Sequence, residues 1–577
     1  MTKVWKLKQT ATTAELKNYK NIHPVLAELL WQRGITSERV EHFLHTRYED
    51  MFDPFLFSDM QKSIDRVWQA IHNNERIVIY GDYDADAVTA NAVLQQTFRY
   101  LGVEVGSYVP DRFTEGYGLN IEAFEKIKAD GARVVITVDC GTNSVDVAEW
   151  CKKNNVDLII TDHHEITAET PKSFALINPK NVADFYPDPQ ITGVGVAYKL
   201  AKAVLSEKLK VIKLKGISED QYQEHWDKWL LDLVAIGTVA DCHSLLGENR
   251  IFVTYGLKVL AKTKWPGLYA LLLSAVAGKV PVLDTHILGW LLAPRINAAG
   301  RLEHANIALD TLLAEDPIVA RDAAVALEQI NSRRQDLTAR LLSEAREQAV
   351  LQQQYKVLVL ASPDWQKGVV GIAAGRMANE FGKPVIVLSQ SETECTGSAR
   401  TYGNFNMVEA LKATSKHLSK FGGHKEAAGL TLLTANLEPF KRDLALYAED
   451  TIVFGADDDV VLELDAVLDE ENLSLDFFDL IEELAPFGAG NTKPVFWLKH
   501  GVVISVRKVG GEGQHAQFGF EIGNTQVQAI AFNQGYMCDT LLVGQTVELA
   551  AELLADTWNG LRRLKLRVLD IKKLDQI

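Results

Sequence analysis

Residues 77–86 read Ile77-Val78-Ile79-Tyr80-Gly81-Asp82-Tyr83-Asp84-Ala85-Asp86. A short, β-branched, unbroken apolar run suits a strand buried on both faces of a parallel sheet, where helices cover both sides and no polar alternation survives. The pattern recurs at Val134-Val135-Ile136-Thr137-Val138, which runs into Asp139-Cys140-Gly141. It recurs again at Leu158-Ile159-Ile160-Thr161, which runs into Asp162-His163-His164. Between these runs, 91–101 and 121–129 read as crossover helices. An open α/β domain from residue 75 to about 240 is the expectation. In such sheets ligands bind beyond the carboxyl ends of the strands, and here three strands carry carboxylates or imidazoles to that edge. Asp241, after the apolar stretch 230–240, adds one more.

A single Asp behind a strand is commonly a helix N-cap. Three Asp at alternate positions, an Asp-His-His and a further strand-end Asp exceed what capping needs. Carboxylates crowded together repel and cost stability unless a cation neutralises them. Oxygen ligands joined by one or two imidazoles suit Mn2+ or Mg2+. Two such ions bridged by one carboxylate would activate a water and steady the leaving oxygen of a phosphate ester. The pattern points to metal-assisted phosphoryl hydrolysis.

Downstream the character changes. Residues 316–355 are rich in Ala, Leu, Glu, Arg and Gln and contain no Gly or Pro after Pro317, with apolar residues at three- and four-residue spacing. A long helix joining two lobes is expected there. Strand-like Val357-Leu358-Val359-Leu360 and Val385-Ile386-Val387-Leu388 then open a second α/β domain, placed at 356–450. From 455 to 577 short alternating segments at 501–506, 516–522, 527–532, 547–553 and 564–568 are separated by Gly and Asn turns, which predicts a small β-barrel or sandwich. The expected order is thus a segment 1–70, a first α/β domain 71–315, the helix, a second α/β domain and a β domain.

At 577 residues the chain exceeds one hydrophobic core. No apolar run reaches the roughly 18–20 residues of a spanning helix, and the first residues carry no apolar leader. Cys140, Cys151, Cys242, Cys395 and Cys538 are odd in number, scattered and without a CxxC pair, so neither a zinc site nor a disulfide framework is indicated. A cytoplasmic protein is the expectation. The net charge of −16 taken alone argues against a nucleic-acid partner. An acid-rich site adds negative charge of its own, however, and a local basic groove is enough for binding.

GDYDADAVTA (81–90), VDCG (138–141), TDHHE (161–165) and GTVAD (237–241) resemble, in order, the four motifs of the DHH phosphoesterase superfamily. PDRFTEGYGLN, ITGVGVAYKL, APRINAAGR, GVVGIAAGR, GSARTYGNFNM, FGGHKEAAG and PFGAGNTKPVF resemble blocks of its RecJ exonuclease family, from about residue 75 to beyond 495. The resemblance implies a DHH catalytic domain, a DHHA1-like substrate-binding domain and an OB-like nucleic-acid-binding barrel. It implies a 5′-to-3′ exonuclease acting on single-stranded DNA in recombination and repair. The implied partners are single-strand-binding protein and a RecQ-type helicase, and the implied state is a monomer.

Carried over by position, Asp82, Asp84, Asp86, Asp139, His163 and Asp241 would hold Mn2+ or Mg2+, as two ions. Asp139, His163 and His164 would carry the chemistry, with His164 beside the scissile phosphate or supporting His163. Arg112, Ser398 and Arg400 would hold the 5′ phosphate, Arg by its planar fork. Asn297 and Arg301 would touch the strand, and Gly422, Gly423 and His424 would bring backbone N–H groups and an imidazole to a phosphate. In the barrel, Arg507, Lys508, Phe518, Phe520 and Phe532 are possible strand contacts, although Phe in short strands is more often core. Two positions depart from the family pattern: Ala87 stands where Gly is usual, and Gln366 where His is usual. Two alternatives are weighed: a small DHH enzyme cutting nanoRNA, nucleotide bisphosphates or pyrophosphate, disfavoured by this chain's length, and a non-catalytic DNA-binding helicase subunit, disfavoured by the full ligand set.

Overall fold

The computed structural model describes residues 3–116, 118–167, 169–278, 280–452, 461–558 and 560–574. The chain divides into two compact units, one of Asp53–Asp241 and Tyr255–Asp458, the other of Met1–Phe52, Cys242–Thr254 and Asp459–Ile577.

In the first unit the apolar runs are strands of one parallel sheet, ordered Gly106–Tyr108, Arg76–Gly81, Ala132–Val138, Asp157–Thr161 and Ala175–Ile177. Their centres are sealed from water: Ile79, Tyr80, Val134, Ile136, Ile159 and Ile160 are fully buried. The chain enters at Arg76–Gly81, turns outward to the edge strand, then crosses back to Ala132–Val138. The order reverses between those two strands, and such a reversal opens a crevice at their carboxyl ends.

The Pro317–Val350 helix, started by Asp316 accepting from the N–H groups of Ile318 and Val319, matches the expected long helix within a few residues. Its C-terminal half buries Leu341, Leu342, Ala345 and Ala349 against the second sheet and the Lys367–Phe381 helix. That sheet is mixed, ordered Leu418–Gly423, Ala427–Leu433, Glu394–Arg400, Val385–Gln390 and Leu358–Ser362, with only the last pair parallel. The two sheets' domains meet backbone to backbone. A β-carbon at Gly368 would come 1.8 Å from the Arg301 carbonyl oxygen, so only glycine fits.

The second unit is built on a closed barrel. Phe496–Val509 pairs with both His515–Ile522 and Thr546–Trp558, while Thr525–Ala531 links His515–Ile522 to Leu561–Lys573, which returns to Thr546–Trp558. Its interior holds Phe496, Phe518 and Phe520, and the Pro24–Gln32 helix adds Leu26, Ala27, Leu29 and Leu30 to the same core. Val4–Leu7 pairs in parallel with Val461–Leu464. Among the described residues, no helix is long and apolar enough to cross a membrane.

Candidate metal centre

The acidic side chains of the crevice are placed by local caps and by distant backbone contacts. Asp84 caps the Ala85–Leu101 helix, accepting from the Ala87 N–H at 3.1 Å. Ala87 itself is fully buried, so a β-carbon is accommodated where the family pattern has Gly. Asp139 leaves its strand with φ 58°, a left-handed conformation that costs a β-carbon-bearing residue energy and marks an over-determined position. Its N–H donates to the Thr161 carbonyl at 3.0 Å, and a β-carbon at Gly193 would come 2.5 Å from the Asp139 Cβ. Asp241 follows a helix, Leu231–Ala240, rather than a strand.

His163 lies at the meeting point, 4% exposed. Its Nε2 is 3.0 Å from Asp139 Oδ1, 3.6 Å from Asp241 Oδ2 and 3.9 Å from Asp86 Oδ2. Asp139, Asp162, His163 and His164 each offer a ligand atom within 4.8 Å of the others. Asp82 Oδ1 accepts from the Tyr83 N–H, while its Oδ2 is buried with no hydrogen-bond partner among the described residues. Such an orphan costs about 1–3 kcal/mol and more for a charge.

The electrostatics follow from this crowding. Burial, reinforced by Asp84, pushes Asp82 up to about 8. Burial and Asp84 push Asp241 up to about 7. Asp86, by burial and by Asp241 and Asp84, and Asp139, by burial and by Asp86, are held well above the usual carboxylate range. A cluster of carboxylates that disfavour their own charges is matched to a cation. Hard oxygen donors with one imidazole are the ligand chemistry of Mn2+ and Mg2+, so the residues fit such an ion.

Two residues have roles that their sequence context did not disclose. Asp162 is buried and receives the N–H groups of His163 and His164 on Oδ1 and that of Thr142 on Oδ2, while Oδ1 sits 2.7 Å from His164 Nδ1. Burial opposes its charge, but the bonds from His164 and Thr142 outweigh burial and hold it well below the usual range. For His164 burial is again the largest influence and Asp162 outweighs it, raising the ring's pKa. The first Asp of Asp-His-His was the available sign. Asp86 receives the Gly193 N–H at 2.8 Å and the Val194 N–H at 2.9 Å, so both its oxygens anchor the start of the Gly193–Ser206 helix. No local spacing links residues 86 and 193.

Around the cluster, Asn297 accepts from the Ala85 N–H at 2.9 Å, which ties the Ala293–Leu302 helix to the first motif. Arg112 lies over the Tyr83 ring at 4.8 Å. Arg400 donates to Ser398 Oγ at 2.6 Å. Burial, then Arg112, Arg334 and Arg400, lowers Arg301 to about 10, and burial and Arg112 lower Arg400. The three guanidiniums of Arg112, Arg301 and Arg400 thus feel one another, and among the described residues none is ion-paired. On the second sheet Gly429 pairs with Ser398 and Ala427 with Arg400, which brings the Gly422-Gly423-His424 hairpin alongside them. Gly423 has φ 143°, and a β-carbon there would come 2.4 Å from the Ala427 carbonyl oxygen. Gln366 is exposed and makes no capping bond to the helix it precedes. In the barrel Phe518 and Phe520 are fully buried core residues, whereas Phe532 is exposed.

Residues 76–238 match the DHH family N-terminal domain, residues 353–450 the DHHA1 domain, and residues 464–570 the RecJ OB domain. The chain is 36% identical over 556 residues to a single-stranded-DNA-specific exonuclease RecJ of Bacillus subtilis, covering 95% of this chain and 68% of that relative. It is 31% identical over 573 residues to the corresponding protein of Haemophilus influenzae, covering 96% and 97%. The crystal structure of RecJ in complex with Mn2+ from Thermus thermophilus superposes with a TM-score of 0.81 at 29% identity, covering 99% of this chain and 80% of that one. The Mg2+ complex of the Thermus protein gives 0.76 at 28% identity, with 99% and 79% covered. Matching domains in the same order, identity along nearly the whole chain and a shared architecture establish that this chain belongs to the RecJ family of single-stranded-DNA-specific exonucleases.

Proposed function

We propose that this chain is a divalent-metal-dependent exonuclease that hydrolyses single-stranded DNA from its 5′ end to mononucleotides. The observation that carries the reading is the buried carboxylate cluster around His163, within 3.0 to 3.9 Å of three aspartates. Asp82, Asp84, Asp139, His163 and Asp241 hold the metal; Asp86, with both oxygens bonded to amides, fixes the crevice wall beside them. Mn2+ or Mg2+, as one or two ions, would lend charge to the phosphate and acidify the attacking water.

The protein groups supply the rest. Asp162 fixes the tautomer and direction of His164 and favours its cationic form, which places a proton donor beside the phosphate. Arg112, Arg301 and Arg400, none of them ion-paired among the described residues, gather the terminal phosphate, with Ser398 orienting Arg400. Asn297 holds the first motif in register. Gly422, Gly423 and His424 offer an exposed turn to the strand backbone. The OB-like barrel adds sequence-tolerant affinity.

Five cysteines, scattered along the chain and without a CxxC pair, support a cytoplasmic setting. Recombination and repair beside single-strand-binding protein and a RecQ-type helicase, as a monomer, complete the reading. Its three domains are the DHH domain at 71–315, the DHHA1-like domain at 356–450 and the OB-like domain at 455–577, with 1–70 preceding them and 316–355 connecting the first two. The test compares single strands labelled at the 5′ or 3′ end with the matching duplex, in Mn2+, in Mg2+ and in chelator. Immediate release of labelled mononucleotide from the 5′-labelled single strand alone, abolished by chelator, is the expected result. Strand binding without cleavage in either metal would instead favour a binding subunit.

A further inference from the structure

Directly before the helix that carries Asn297 and Arg301, residues Ile287–Leu292 form a π-helical turn. Single wide turns of this kind are frequent at functional sites. Trp290 lies on it with 71% of its surface exposed. It is the only exposed tryptophan among those whose side chains the structure describes. His286, also exposed, faces it four residues earlier, with ring centroids 6.2 Å apart and planes inclined by 24°. Two stacked rings facing solvent present a flat, polarisable surface that nothing in the fold uses.

The turn is tied to the metal centre at both ends. The Val239 side chain, two residues before Asp241, lies against Gly289, where a β-carbon would come 3.1 Å from it. Asn297, seven residues beyond Trp290, bonds the Ala85 N–H of the first motif. Seven helical residues rise roughly 10 Å along the axis. The ring pair therefore stands about two turns along the same helical segment from the residue that bonds the first motif.

We propose that Trp290, backed by His286, is a stacking platform for a base of the bound strand, a few nucleotides from the scissile phosphate. The proposal rests on the single-strand reading above. Every base has a π-face, so the platform tolerates any sequence. A duplex keeps those faces inside its own stack, so the platform favours single strands.

The test measures KM in Mn2+ for a 5′-phosphorylated dinucleotide and for a strand of about 20 nucleotides, taking their ratio within each variant. Trp290→Ala is expected to shrink the advantage of the long strand by about tenfold, Trp290→Leu equally, and Trp290→Phe by less than about threefold. In chelator, 2-aminopurine walked along the strand is quenched at one or two positions in the wild type, and Trp290→Ala removes that minimum. The leucine variant keeps apolar bulk without a ring face, so it decides the question if the alanine variant does not fold. An unchanged KM ratio with an unchanged 2-aminopurine profile overturns the platform while leaving the enzyme reading intact. A wild type that cleaves nothing overturns the enzyme reading, and the 2-aminopurine profile then still decides the platform.

Discussion

Arg250 and Asp139 are each 3% exposed, and each puts an ionisable group into the interior of its unit. Arg250 donates to the carbonyls of Phe43, Leu484 and Ala485 at 2.9, 2.8 and 2.8 Å, and its guanidinium lies 3.8 Å from the Phe43 ring. Burial and Arg33 lower its pKa to about 10, and the carbonyls that hold its charge against them belong to the same unit. Asp139 has the opposite setting. Burial, then Asp86, Asp84, Asp162 and Asp241, raises its pKa, against which stand the imidazoles of His163 at 3.0 Å and His164 at 3.9 Å. A buried charge whose partners come from the chain itself is a staple. A buried cluster whose charges oppose one another awaits something from outside. The difference separates the part of this molecule that closes its own electrostatics from the part that does not.

The sharpest way to break that comparison is Asp139→Ala. Metal-dependent nucleotide release should fall by at least ~10³-fold, read on a labelled single strand. Metal-free thermal stability should hold or rise, because a repelled charge is gone. Retained activity would reduce the cluster to a structural oddity. The mirror experiment is Arg250→Met, which takes the donor from the carbonyls of Phe43, Glu483, Leu484 and Ala485. It should cost the barrel unit about 3 kcal/mol in urea unfolding, whatever the metal concentration. A loss that disappears on adding Mn2+ would show that the two places are not independent.

Gly193→Ala probes how tightly the crevice is built. The new methyl overlaps the Asp139 side chain, and a displacement near 1 Å is expected to lower kcat about 10²-fold with the fold retained. Activity close to wild type would mean that Asp139 has room to yield. The smallest effect is expected from Asn297→Ala, which removes the acceptor of the Ala85 N–H. About 1 kcal/mol, or roughly fivefold in kcat/KM, should be lost. A loss hundreds of times larger would move Asn297 from positioning the first motif to touching the substrate.

How much of this was legible beforehand depends on the range over which each feature is encoded. Arg76–Gly81, Ala132–Val138 and Asp157–Thr161 are readable because β-branched runs favour an extended chain locally and are too apolar to stay exposed. The Pro317–Val350 helix is readable because its propensities sum along one uninterrupted segment. Asp82, Asp84, Asp139 and His163 can be placed at the sheet's carboxyl edge from sequence because a strand that ends in such a residue puts it there, whichever neighbour the strand takes. The barrel is legible as several short strands, but Phe518 and Phe532 are indistinguishable in sequence. Both are aromatic residues in alternating segments, and only the closed barrel turns one inward and leaves the other exposed.

The sequence by itself thus determined the elements, the residue types at their ends and the kind of chemistry those residues can do, since all of these follow from neighbours along the chain. The tertiary structure alone decided which distant groups meet. The amides of Gly193 and Val194 occupy Asp86, a tie between helices that no pattern spells out. Val4–Leu7 finds Val461–Leu464, which draws the N-terminal segment into the barrel unit. Arg250 takes its carbonyls from segments on either side of it in the chain. Such pairings are selected by the burial and hydrogen-bond satisfaction of the whole fold, and a polar group has no intrinsic preference for one distant amide over another until packing brings that amide within reach.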